Sequence, residues 1–89
     1  SWTLYEEVIF DSKEIISKDW DSYKIIGFDN IPIFTTSVID QKGSPYLGVG
    51  EVVAGPTGAA ISNAISDAIG QRIKTMPFTK DNITKELLN

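Results

Sequence analysis

Leu4 to Phe10 is a mostly apolar run that gives way to the polar Asp11-Ser12-Lys13-Glu14 and then to Ile15-Ile16. Two apolar runs around a short polar turn predict a β-hairpin. Trp20 and Tyr23 stand three apart among polar residues, a pattern that predicts a loop pinned by its rings, with the indole N–H and phenol O–H satisfied. From Pro32 to Ile39 the chain is rich in β-branched residues, with Ile33, Thr35, Ser37 and Ile39 on one face and Phe34, Thr36 and Val38 on the other. That alternation predicts a strand, which the turn formers Asp40-Gln41-Lys42-Gly43-Ser44-Pro45 then end. A helix is predicted over 56–69, with its start signal in Pro56 or Thr57, its stop in Gly70 and apolar residues at Ile61, Ala64, Ile65, Ala68 and Ile69. Its many alanines allow close packing against another backbone. A short last helix over 80–88 would be capped by Thr79 and bury Ile83, Leu87 and Leu88. The expected fold class is α+β: a small mixed sheet made of the hairpin and the strand, one Ala-rich helix and a short C-terminal helix.

Composition narrows the function classes. The chain has 89 residues, one small domain over 1–89, and a domain of that size hides only roughly 60–65% of its unfolded surface, so it cannot enclose a large cofactor alone. The absence of cysteine and histidine removes disulfides, thiolate and imidazole metal sites and Ser-His or Cys-His nucleophile pairs together. Any catalysis must run on carboxylates. Eight basic against twelve acidic residues give a net charge of −4, and no basic cluster forms, so nucleic acid is not an expected partner. No apolar run approaches the ~20 residues that span a bilayer, and no signal-peptide pattern opens the chain; a soluble, cytoplasmic protein is expected. Trp2-Thr3-Leu4-Tyr5 is already apolar-periodic after Ser1, which reads as an element entered partway, hence a piece of a longer polypeptide. Asn82-Ile83-Thr84 matches a glycosylation acceptor pattern, discounted because it falls within a predicted helix.

One short stretch concentrates the candidate chemistry. Gly48-Val49-Gly50-Glu51 places a carboxylate among Leu47, Val49, Val52 and Val53, while glycines let the backbone approach a bulky ligand. A carboxylate in apolar surroundings is how a general base is commonly built. Glycines 48, 50, 55 and 58 fit neither Gly-x-Gly-x-x-Gly nor a Gly-Lys-Ser/Thr phosphate loop, so no nucleotide loop is expected. Glu6, Glu7, Glu14, Asp19 and Asp21 are read as a solvated acidic surface. By spacing alone Glu51 reads more readily as an exposed turn carboxylate, since short glycine patterns are weak.

This stretch, the segment Ala60-Ile61-Ser62-Asn63-Ala64-Ile65-Ser66-Asp67-Ala68-Ile69-Gly70, and Arg72-Ile73 with Pro77 together resemble the end of the large subunit of the molybdenum hydroxylases. That family includes xanthine dehydrogenase and the aldehyde oxidases. The likeness runs from Tyr5-Glu6-Glu7 to the Pro77 region and departs from the family pattern at Val52-Val53, where many members have a proline, and at Leu47, where members are often basic or polar. It implies a fragment of a larger molybdopterin-binding domain, from the C-terminal part of that subunit. Glu51 would be the active-site base, which reverses the order that spacing alone gives, and Gly48, Val49 and Gly50 would lie against the cofactor. The implied reaction is hydroxylation of aldehydes or N-heterocycles of the xanthine type with oxygen from water. The implied partners are the remainder of the large subunit, iron–sulfur and FAD subunits or domains, and a small-molecule substrate. The 89-residue chain alone is expected to bind no molybdopterin, to be inactive and to self-associate through exposed apolar area. The competing reading is a non-catalytic interaction or accessory domain with the same fold.

Overall fold

A computed structural model describes all of residues 1–89. Its two α-helices lie where the sequence signals put them. Helix α1 spans Ala54–Ile69 and ends on Gly70 at φ 74°, whose amide donates to the Ser66 carbonyl; the left-handed conformation is one that only glycine adopts without steric strain. The helix starts two residues before the predicted Pro56, with Pro56 inside the first turn, where its missing N–H has no intrahelical partner to lose. Helix α2 spans Lys80–Leu87, and the Thr79 hydroxyl accepts the Asn82 amide at 3.2 Å as the cap. A short 3₁₀ turn over Phe28–Asn30 is the other helical element.

The expected α+β mixed sheet is absent. Only Phe10 and Ile15 pair, as one isolated antiparallel bridge; the hairpin shrinks to this bridge and a turn in which the Asp11 carboxylate accepts the Lys13 and Glu14 amides at 2.7 and 2.9 Å. The stretch 32–40 is not a strand, because none of its backbone groups is hydrogen-bonded within the chain. Alternating side chains encode two faces, whereas a strand also needs a neighbour about 4.8 Å away to complete its ladder, and this chain supplies none. Ile33 is 99% and Val38 88% exposed. Of the predicted loop anchors, Tyr23 is half-buried and donates to Glu6 at 2.6 Å, but Trp20 is 78% exposed.

What core exists is a knot where the chain start meets the segment between the helices. Ile73 (2% exposed), Pro77, Phe78 and Thr3 are its four buried residues. The Thr3 carbonyl accepts the Phe78 amide at 2.8 Å, and Thr3 Oγ1 lies 4.0 Å from where a Cβ on Gly58 would stand, so the chain start lies against α1 at ordinary contact distance. Arg72 donates back to α1 at Asn63 Oδ1, 3.0 Å. Glu86, on α2, accepts the Lys74 and Thr75 amides at 2.9 and 3.1 Å. Helix α1 turns Gly58, Ile61, Ser62, Ile65 and Ser66 toward the knot and leaves Ala64, Ala68 and Ile69 exposed; on α2, Ile83 is half-buried but Leu87 and Leu88 are not.

The chain is therefore open. Its radius of gyration is 16.9 Å, against about 12 Å for a compact domain of this length. Its accessible surface of 8015 Å² exceeds by roughly 2,800 Å² what a compact protein of this mass exposes.

Two outcomes follow from the stitches around the knot. The Lys74 amide, foremost, holds the Glu86 carboxyl below its ordinary value. A lowered folded-state value means the contact stabilises above the unfolded glutamate value and is lost as pH falls through the folded one. On acidification from roughly pH 5 to pH 3, the Lys74 and Thr75 amide resonances should move together with a midpoint below 4.5, and Glu86→Ala should abolish the shared titration. Removing the cap with Thr79→Ala should destabilise α2 by about 1 kcal/mol, read as a loss of helical carbon shifts over 80–87 with α1 unchanged.

Candidate functional site

Glu51 stands three residues ahead of α1, and its carbonyl accepts the Ala54 amide at 3.1 Å. The turn thus leads directly into the first helical turn, whose N-terminal amides put partial positive charge on this side of the molecule. The Glu51 side chain is exposed and makes no hydrogen bond or ion pair. The apolar surroundings expected for it do not form within the chain, because Leu47, Val49, Val52 and Val53 are themselves mostly exposed.

Gly48 and Gly50 lack positive φ, and a Cβ built on either would meet nothing within 4 Å. Neither turn geometry nor crowding inside the chain demands glycine there. The amides of Gly48, Val49 and Gly50 also donate to nothing in the chain. A loop of bare backbone with free donors is shaped to lie against something outside itself, and a Cβ-free surface lets a bulky group approach closely.

The fold brings Glu51 together with residues that sequence reasoning did not single out. An open cleft of about 270 Å³ lies between the chain start and the α1 N-terminus, lined by Trp2, Thr3, Gly50, Glu51, Val53 and Thr57 among others. Trp2 and Glu51 are neighbours across almost fifty residues because the knot holds Thr3 against α1. No periodic pattern carries that proximity; the signal available was only that an aromatic sits next to the residue that becomes buried. The cleft is near the lower end of the volumes that hold small molecules, about 300 Å³, and is open on one side, as expected of one wall of a larger pocket.

The donor chemistry limits what this wall can hold. No group of three or more carboxylates forms a metal site, and the chain has no cysteine or histidine. It fits a cofactor bound by other chain segments, to which it would offer three backbone N–H donors and one carboxylate. Among the other acidic residues, Asp19 accepts from Ser22, Glu14 pairs with Lys18 and Glu6 accepts from Tyr23, whereas the Glu7, Asp21, Asp29, Asp40, Asp67 and Asp81 side chains make no hydrogen bond or ion pair.

Nearly the whole chain aligns with dehydrogenase subunits. It is 34% identical over 87 residues to a nicotinate dehydrogenase subunit of Pseudomonas putida, a match covering 98% of the chain and 7% of that protein. It is 29% identical over 91 aligned positions to the xanthine dehydrogenase molybdenum-binding subunit of Escherichia coli, covering 96% of the chain and 12% of that protein. The chain thus spans about a tenth of the length of the curated relatives it matches. No family model matches it, and no solved structure does. No helix is long and apolar enough to cross a membrane. Over nearly all of its length, this chain's relatives are dehydrogenase subunits, one of them named as the molybdenum-binding subunit of its enzyme.

Proposed function

We propose that this chain is the segment of a molybdenum-dependent dehydrogenase subunit that carries the active-site base, and that it forms the C-terminal part of that subunit. The observation that carries the reading is the stretch Gly48-Val49-Gly50-Glu51: three unpaired amides, two glycines with open space around them and a free carboxylate, in a chain similar over 98% of its length to such a subunit. The relatives are named for nicotinate and xanthine, both nitrogen heterocycles, which favours an electron-poor heteroaromatic ring as the substrate class.

The molybdopterin cofactor, when bound, supplies the two-electron redox chemistry. Gly48, Val49 and Gly50 would face it, their amides available to an anionic edge. Glu51 would be the proton acceptor: as the oxygen of water bonds to a ring carbon, one O–H proton would pass to the Glu51 carboxylate, and the hydrogen on that carbon would leave with its bonding electron pair, a hydride equivalent that the redox chemistry supplied by the cofactor would take up. Trp2, on the same cleft, offers an aromatic face against a planar ring. Val49, Val52 and Val53 would exclude water once the rest of the subunit closes over them, and electrostatic and proton-transfer effects strengthen in such a dry site. The other subunits or domains of such an enzyme, iron–sulfur and flavin, would take the electrons onward.

In the complete subunit Glu51→Gln keeps the shape of the side chain and removes the proton acceptor. kcat/KM for heterocycle oxidation should fall by about 10²- to 10⁴-fold or more, with molybdenum content unchanged, whereas Glu7→Gln should leave turnover near wild type. Because the Glu51 side chain makes no hydrogen bond, the same substitution in the chain by itself should shift stability by less than about 0.5 kcal/mol. Full turnover of Glu51→Gln at normal molybdenum occupancy would overturn the assignment and favour an accessory role. The isolated chain should contain no stoichiometric molybdenum by metal analysis.

A further inference from the structure

The stretch 31–39, Ile31-Pro32-Ile33-Phe34-Thr35-Thr36-Ser37-Val38-Ile39, has every property of a strand except a partner. It lies outside every helix and turn, its backbone is unpaired over 32–40, and it contains no charged residue in nine positions. Isolated backbone donors and acceptors are tolerable in water but not under cover. Free-standing strand edges in soluble proteins are usually blunted by charges, bulges or shortness. Here only Pro32 resembles such a device, and it sits at the start, where proline does not interrupt a ladder. Both faces carry large apolar groups, Ile33 and Ile39 on one and Phe34 and Val38 on the other, and all four are exposed. A strand apolar on both faces belongs in a sheet covered on both sides.

We infer that residues 31–39 dock as an added β-strand on the edge of a sheet located elsewhere in the longer subunit, an inference that rests on the reading of this chain as part of such a subunit. Two observations select that occupant over a second copy. The surplus exposed surface, roughly 2,800 Å² beyond a compact protein of this mass, is what one side of a large permanent interface contributes, such interfaces burying about 2,000–5,000 Å² or more over both partners, and the exposed large apolar residues run from Trp2 to Trp20, through this stretch and over 46–53. The relatives that match 98% and 96% of the chain extend far beyond it, the matched part being 7% and 12% of their lengths. A net charge of −4 on each copy further disfavours self-pairing.

The test is amide hydrogen exchange over 33–39, measured on the subunit expressed from its complete reading frame and on the 89-residue chain, with molybdenum content determined on the same subunit sample. Exchange should be at least about 100-fold slower in the subunit than in the isolated chain, and independent of concentration in the latter. Equally fast exchange in both overturns the strand docking, whatever the metal content. Protection that appears in the isolated chain as its concentration rises overturns it in favour of a second copy. Protection in a subunit that contains no molybdenum supports the docking while removing the cofactor reading, so the two can fail separately.

Discussion

The hydrogen bond from the Phe78 amide to the Thr3 carbonyl, with Ile73 and Pro77 packed around it, is the contact on which the rest of this chain depends. It joins the first residues to the segment between the helices, seventy-five positions away, and it seats Thr3 against Gly58 of α1. The bonds from Arg72 to Asn63 and from the Lys74 and Thr75 amides to Glu86 are stitches around that point, while Tyr23 to Glu6 and the Ile26 amide to Ser1 Oγ tie residues 23–26 to the chain start. Pro77 and Ile73 lie in the short segment that resembles the molybdenum hydroxylases, and they fill half of the buried positions.

One knot of four residues cannot organise eighty-nine. Ordering each backbone residue costs about 1–2 kcal/mol in conformational entropy, and apolar burial returns only about 25 cal/mol per Å². Where burial is absent, as over 31–53, the chain lacks the contacts that would define one tertiary position. The site inherits this. Glu51 is delivered to the mouth of a cleft by its neighbours, but its carboxylate stays exposed and unpaired there.

On the proposed reading of Glu51, that division fits how a general base works. Such a group needs a carboxylate with no competing partner, a fixed distance to the reacting atom and exclusion of water, and only the first is local. The chain supplies the local part in the two glycines and the carboxylate. A protein some ten times longer, as its relatives are, has the material for the other two.

Local signals were sufficient for the helices. Gly70 stops α1 because its left-handed φ is set by its own missing side chain, and Thr79 caps α2 by reaching an amide three residues on; both interactions lie within one turn and are written in adjacent residues. The candidate base rests on Gly48-Val49-Gly50-Glu51 and its likeness to a family turn, and the fold adds that this turn leads into α1 with the Glu51 carboxylate exposed. Strand formation was not, because alternation in Ile33 to Ile39 specifies faces while pairing is a property of a second segment. Nor was burial: Leu87, Leu88 and Trp20 are apolar or aromatic enough to be core, yet exposed, since a core forms only where elements meet. The approach of Trp2 to Glu51 is likewise a tertiary decision. It follows from a single contact between Thr3 and Phe78, and the identity of two residues so far apart in sequence carries no information about their distance until the chain between them has folded.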